Sequence, residues 1–345
     1  MIPLIEKLKK ELKDKFSGEK ISIGLNIGVS SIKMVKLKFA KETTELCGFC
    51  LEQNQLDLEE VLKKIIQAQG IKRVNISVSG QQAITRYVDF PKMNAQELKQ
   101  ALKFEAEKYI PFPVEEVNLD GYILREDLPD NKMRILLAAV KKESLNQRLK
   151  LLRELGLEID IVDIDSLALI NAFNFNYSED ENLKNKTMAL LNIGSATTNL
   201  NILENGLPSL SRDISIGGNN FTQRVADVLG SDFKTAEGLK TDSDKRKSDK
   251  VISAVESVLA KLAQEVRTSF DYYESRSVSS VEKIFISGGG SLYTGLKDML
   301  TALLGLPVEN WDPLKKISLA GNLDGSKIKA ISGQLAVAIG LALRS

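Results

Sequence analysis

Two stretches of this chain repeat one chemical arrangement. Leu25-Asn26-Ile27-Gly28-Val29-Ser30-Ser31 and Leu191-Asn192-Ile193-Gly194-Ser195-Ala196-Thr197 each run from an apolar strand through Asn-x-Gly into small residues, mostly hydroxylated, and a second strand. Glycine lets a backbone approach a ligand, and successive amides and hydroxyls can donate to phosphate oxygens. Two such tips, one in each half of the chain, suit the gripping of a polyphosphate from two sides. Asn26, Gly28, Ser30, Ser31 and Lys33 form the first candidate set, and Asn192, Gly194, Ser195 and Thr197 the second. Three further pieces fit a nucleotide cleft. Gly217 and Gly218, in Ile216-Gly217-Gly218-Asn219, sit between a strand and a helix, where amides can face an anion. Ser287-Gly288-Gly289-Gly290 follows a buried strand, and its glycines leave bare backbone against which a flat base can lie. Ala236-Glu237-x-x-Lys240 falls on a helix and offers Glu237 and Lys240 to ribose hydroxyls and ring edges. Each piece alone reads better as a tight turn or an exposed ion pair. Their order along the chain carries the joint reading.

Composition removes many other chemistries. The chain has 345 residues and no histidine. Histidine general acid/base catalysis, Ser-His triads and histidine-ligated metals are therefore excluded. Lys plus Arg number 47 and Asp plus Glu 46, a formal net charge of +1, which gives no electrostatic case for nucleic acid as the main partner. No apolar run approaches the roughly 20 residues that span a bilayer. The best candidate, Leu335 to Leu343, is too short, and lysines interrupt the N-terminal segment where a signal peptide would be apolar. A cytoplasmic protein that meets a membrane through a partner is the expectation. Cys47 and Cys50 have the C-x-x-C spacing of redox and zinc motifs. They fall in a strand, however, where side chains three apart point to opposite faces, and no second ligand pair exists.

The elements that must hold these residues follow from periodicity. Residues 1–17 pattern as an amphipathic helix with Met1, Ile5, Leu8, Leu12 and Phe16 on one face. A β-hairpin then carries the first tip, with a strand near Leu46, a helix over Leu56 to Ala68 and a strand over Val74 to Val78. Residues 83–157 read as a β-α-β-β-α module, its first helix capped by Asn94 and broken by Ile110-Pro111-Phe112-Pro113. A strand over Ile159 to Ile164 and a helix over Ser166 to Phe173 return to the first lobe, and the polar stretch Asn176 to Asn185 reads as a linker. The second half repeats the first, with a mostly helical region over 230–280, a solvated charge run over Thr241 to Lys250 and a final apolar helix over Gln334 to Arg344. The expected class is α/β, two-lobed, with two duplicated halves and an inserted α+β unit.

The order phosphate hairpin, second hairpin, Gly-Gly loop, Glu-x-x-Lys helix and Gly-Gly-Gly turn resembles the actin–Hsp70–FtsA superfamily, with its ribonuclease H-like lobes. Within it the chain is similar to the PilM family of actin-like proteins of bacterial type IV pilus assembly. The supporting residues are Arg86-Tyr87-Val88-Asp89-Phe90-Pro91, Phe104 through Pro113, Arg212 through Gly218, Ile286 through Gly290 and Ala336 through Arg344. The resemblance covers residues 20–345. It implies subdomain 1A at 21–82 and 158–175, 1C at 83–157, 2A at 186–229 and 281–345, and 2B at 230–280, after an N-terminal helix at 1–20. It also implies ATP or ADP with Mg2+ in the cleft and admits self-association into rings. As partner it implies the cytoplasmic N-terminal peptide of the inner-membrane protein PilN, in a groove between 1A and 1C. Arg86, Tyr87, Tyr109, Pro111, Phe112 and Pro113 are the candidates for that groove.

One departure separates the chain from its superfamily, in which the residue two before each hairpin glycine is usually Asp. Asn26 and Asn192 keep the size and remove both negative charges. The site is then expected to hold magnesium weakly and to hydrolyse ATP poorly or not at all. No catalytic residue is assigned. A sugar or acetate kinase of the same fold would need a carboxylate base, and with both positions Asn no obvious base remains. An FtsA-like filament protein would end in a membrane-binding helix after a linker, whereas this chain ends in what reads as a core helix.

Overall fold

A computed structural model of the protein describes residues 20–41, 43–54, 57–242 and 248–344. The expected N-terminal amphipathic helix and the centre of the charge run after Thr241 lie outside the described residues. The first part of the chain forms β1 (Lys20–Ile27), β2 (Ser31–Ala40), β3 (Thr43–Gln53), α1 (Leu58–Gln69) and β4 (Arg73–Val78). It is followed by β5 (Ala83–Pro91), α2 (Ala95–Glu105), β6 (Val117–Leu128), β7 (Lys132–Lys141), α3 (Lys142–Glu154), β8 (Glu158–Ile164) and α4 (Asp165–Tyr177). The second part forms β9 (Thr187–Ile193), β10 (Thr198–Glu204), β11 (Leu207–Ile214), α5 (Gly218–Leu229), α6 (Phe233–Thr241) and α7 (Asp249–Glu274). It ends with β12 (Lys283–Ser287), α8 (Leu296–Leu304), β13 (Val308–Asn310), β14 (Ser318–Leu319), α9 (Gly325–Ile331) and α10 (Ala336–Ala342).

The duplication legible in the two tips extends to whole sheets. One sheet has the order β14-β3-β2-β1-β4-β8 and the other β11-β10-β9-β12-β13. In each, a central strand is antiparallel to the strand after its hairpin and parallel to the strand on its other side. Period-2 alternation supplies two apolar faces. On β2, Ile32 and Met34 face α1 and α3, whereas Val35, Leu37 and Phe39 face α4 and α10. On β9, Ala189, Leu191 and Ile193 face α5, α7 and α8, whereas Met188 and Leu190 join the same core as α4 and α10. Helices α4 and α10 are therefore the shared layer between the two sheets. A third sheet, β5-β7-β6, carries α2 on one face through Leu98 and Leu102. Asn94 caps α2 with a reciprocal capping box, as its Asn-x-x-Glu spacing predicts.

One expectation needs correction, and the placing of the two cysteines in a strand stands. Asn176 is not linker: it lies in the last turn of α4, 1% exposed, donating to the Ala172 and Pro313 carbonyls and accepting from the Lys316 amide. Asparagine's turn preference misled the reading, because its amide here satisfies backbone groups of a neighbouring loop. Cys47 is the extra residue of a β-bulge opposite Lys36 and Leu37, with its thiol on the Lys36 carbonyl, and Cys50 turns toward Glu52; both cysteines are free.

Close backbone approach holds the shared layer together. A Cβ on Gly340 would stand 1.8 Å from the Ala168 carbonyl oxygen, and one on Gly24 would stand 2.0 Å from that of Ala338. Gly340→Ala should therefore destabilise the protein by about 2–3 kcal/mol or more through overpacking. Gly238→Ala, on α6 with nothing within 4 Å of the added atom, should stabilise it by about 0.5–1 kcal/mol. Chemical denaturation of the two variants against the wild type measures both.

Candidate functional site

The two tips meet the carboxyl ends of parallel strands, where open α/β sheets bind ligands. Each tip closes in the same way, with Gly28 N–H donating to the Ser31 carbonyl at 3.0 Å and Gly194 N–H to the Thr197 carbonyl at 2.9 Å. Among the described residues, the amides of Val29 and Ser30, and of Ser195 and Ala196, make no hydrogen bond. Each tip thus presents two successive free donors, which is the chemistry of an anion nest. Asn54, which the sequence reading missed, splints the first tip: its amide nitrogen donates to the Gly28 carbonyl at 2.9 Å and its N–H to the Ser30 carbonyl at 2.8 Å. Lys33 lies beside Gly28 and donates to the Ser31 carbonyl at 3.2 Å.

The Gly-Gly loop differs from expectation. Gly218 N–H donates to the Gly194 carbonyl at 2.8 Å, Asn219 N–H to the Ser195 carbonyl at 2.7 Å, and Gly217 N–H to the Asn220 side chain at 2.9 Å. These amides are occupied by the second tip, so they brace it instead of facing an anion. Glycine is required at 217 for contact, because a Cβ there would lie 2.7 Å from two of the tip's carbonyl oxygens. Lys240 is likewise occupied, by Glu237 at 2.7 Å, the Thr222 hydroxyl at 2.8 Å and the Gly218 carbonyl at 3.2 Å. Glu237 binds Thr222 and Lys240 through Oε2 alone, and its Oε1 has no partner among the described residues, so one half-exposed acceptor is left for a hydroxyl. Gly288 takes a left-handed φ of 86° and, with Gly290, abuts Ile193, while Gly289 remains open toward Gln334. Glycine at 288 and 290 is therefore needed for close packing on the end of β9, and Gly289 is the one of the three whose face stays open.

The two asparagines have unequal surroundings. Asn192 donates to Asn199 at 3.1 Å and accepts from the Ser287 hydroxyl at 3.3 Å, joining the second tip to the glycine turn. Asn26 donates to the Ser77 hydroxyl at 3.3 Å and to Asp165 at 3.1 Å. The expectation that no carboxylate remains near the tips is therefore corrected: Asp165, the first residue of α4, supplies one. Its place at the end of a parallel strand was the signal that could have found it. Burial pushes its carboxyl above the ordinary range, against the hydroxyls of Ser77 and Ser79, which favour ionisation. Arg148 of α3 donates to the Ser77 carbonyl at 2.9 Å and is electrostatically coupled to Asp165. Burial lowers the pKa of both Arg148 and Lys33, and Asp165 opposes it in both. Asp213 of β11 faces the first lobe, accepting from Gly80 N–H at 2.9 Å and from Asn199. Among the described residues, no three acidic or cysteine side chains cluster as a metal site.

A second concavity of about 480 Å³ lies between β6 and β7 on one side and β8 and α4 on the other. Leu136, Ala138 and Val140 of β7 wall it, and Arg344 closes one end on Asp163 at 2.8 Å. Successive residues 161–164 of β8 line it, although neighbouring side chains on a strand point to opposite faces. The groove therefore runs along the edge of β8, which ends its sheet among the described residues. None of the six expected partner residues lines it. Arg86 is turned to the Tyr109 carbonyl at 3.2 Å, Tyr109 packs on Phe90, and Phe112 lies under Lys141. The Pro111 and Pro113 backbone shapes the end of α2 on the far side of the sheet. Tyr87 shares a sheet face with Leu136, but its hydroxyl meets Ser211 of β11 at 2.7 Å, and burial pushes it up to about 12.

Fold and cleft define a two-lobed actin-like protein. The model of the family described as type IV pilus assembly protein PilM matches residues 24–345, and the chain belongs to that family. It is similar to the solved structure of a PilM-PilN type IV pilus biogenesis complex, with 27% identity, 94% of this chain and 98% of that chain covered, and a TM-score of 0.83. MreB5 of Spiroplasma citri bound to ADP shares the fold at 12% identity and a TM-score of 0.50, over 93% of this chain and 94% of that one. The chloroplastic heat shock 70 kDa protein 7 of Arabidopsis thaliana is 30% identical over 119 residues, which are 33% of this chain and 16% of that relative. The chain thus matches less than a fifth of that protein's length.

Because burial raises the Asp165 pKa on folding, its ionisation costs stability at neutral pH, and the cost vanishes below the ordinary carboxylate range. Asp165→Asn should melt at a higher temperature than wild type at pH 7, with the gap closing as the pH falls toward 4. Calorimetric scans across that range check it, and a gap that widens on acidification would refute it.

Proposed function

We propose that this protein is a nucleotide-binding assembly component of the type IV pilus platform that holds the N-terminal cytoplasmic peptide of PilN in the groove beside β8. Family membership supplies the setting, and the observation that carries the proposal is the unpaired edge of β8 along that groove. An extended peptide can add to such an edge by backbone hydrogen bonds while alternate side chains enter apolar pockets. Leu136, Ala138, Val140, Ile161 and Leu167 offer those pockets, and the Arg344–Asp163 pair sets the closed end. Among the described residues, no helix is long and apolar enough to cross a membrane. The membrane connection in this reading is the partner, and the protein works on its cytoplasmic side.

The cleft residues fit a nucleotide. The free amides at 29–30 and 195–196 would hold phosphates, Glu237 Oε1 a ribose hydroxyl, and the backbone of Gly288–Gly290 the base. The residues fit magnesium less well, because Asn26 and Asn192 stand where charge would hold its shell, and both donate to neighbours. Bound nucleotide brings the lobes together, and hydrolysis is slow.

Fluorescence anisotropy with a labelled peptide from the start of PilN tests the groove. Saturable binding is expected, and Ala138→Arg, which fills the groove, should weaken it on the order of tenfold or more. Unchanged binding by that variant, or none by the wild type, would remove the proposal.

A further inference from the structure

Two cations stand at the carboxyl ends of β1 and β4 without a matching pair of anions. Among the described residues, neither Lys33 nor Arg148 has a carboxylate within ion-pair distance. Lys33 has one hydrogen bond, to the Ser31 carbonyl, and Arg148 has one, to the Ser77 carbonyl. The Nε and Nη2 groups of Arg148 have no partner among the described residues. Cations removed from water are costly unless paired, and a planar guanidinium with free donors matches a phosphate group. The Ser77 that anchors Arg148 through its carbonyl also accepts from Asn26 at its hydroxyl, so one residue links the guanidinium to the strand that leads into the first phosphate tip. The acidic side of the cleft is depleted as well. Asn26 and Asn192 are neutral, Asp165 accepts from Asn26, and Asp213 is tied to Gly80 and Asn199.

The geometry points to Arg148, with Lys33, occupying the electrostatic role of a divalent cation, so that a nucleoside triphosphate is held through its terminal phosphates without metal. This rests on the nucleotide reading of the cleft. The guanidinium meets the phosphate oxygens that a magnesium shell would otherwise neutralise, and the Ser77 and Ser31 carbonyls hold the two cations before the ligand arrives.

Calorimetric titration of the full chain with ATP, in excess EDTA and in excess magnesium, tests it. The expected affinities in the two conditions agree to within about threefold, because side-chain cations do the neutralising. Arg148→Ala should weaken binding in EDTA on the order of tenfold or more, and Arg148→Lys, which keeps the charge and loses the planar fork, should weaken it by less than Arg148→Ala. Melting curves of both variants establish that they fold. Binding that needs magnesium overturns the inference and leaves the nucleotide reading standing. Binding in neither condition overturns both. An Arg148→Ala variant that binds like wild type in EDTA overturns the role of Arg148.

Discussion

The molecule depends on two backbones touching where side chains would ordinarily keep them apart. Gly24 of β1 and Gly340 of α10 let strand, α10 and α4 approach until a methyl group would overlap a carbonyl oxygen. Interiors packed at crystal density transmit such constraints instead of absorbing them. The contact fixes α4 against the first sheet, and the aromatic group of Phe173, Tyr177, Phe285 and Trp311 fixes it against the second. The two sheets are therefore held at one spacing, and the facing of the two tips follows from it.

Strand β8 is the second organising element. Its residue 163 belongs to the groove and residue 165, just beyond its end, to the cleft. Arg344, following α10, reaches Asp163, and the Asn75 side chain donates to the Leu341 carbonyl at 2.9 Å. The chain end is thus pinned to the strand that both concavities share. Across the lobes, Gly80 on Asp213 and Tyr87 on Ser211 join the three-stranded sheet and its base to β11. A change in lobe separation would act on these two hydrogen bonds as well as on the core that α4 and α10 share.

Much of this was legible in the sequence because periodicity and repetition report on backbone. The paired tips identified the duplicated sheets, Asn94 and Gly156 marked helix ends, and turns marked the strands and first helix of the inserted stretch, although its second helix, α3, packs on the first sheet through Leu152. Side-chain and amide partnerships were less legible. The Gly217 and Gly218 amides looked available from their place before a helix, yet a hairpin distant in sequence occupies that end. Asp165 was one of four acidic residues in the stretch 158–165, and only its place just past the end of the strand sets it apart from the others. The groove escaped for a related reason: it is made by the edge of β8 and a face of β7, and no sequence window contains both. Tyr87 and Phe112 became groove candidates through the family resemblance, which does not indicate which side of a sheet is open.

The open edge of β8 has a further consequence. An unpaired strand edge is a template for any other extended chain, including the same strand of a neighbouring molecule. Two features act against that growth. Glu158 and Asp160 place charge along the exposed face, bridged by Arg73, and the overhanging β6 and β7 leave a slot that the Arg344–Asp163 pair closes at one end. A single extended chain can enter such a slot, whereas a second sheet cannot. The inserted unit thus acts as a steric guard against polymerisation through β8, and a molecule stripped of it would be expected to form fibres.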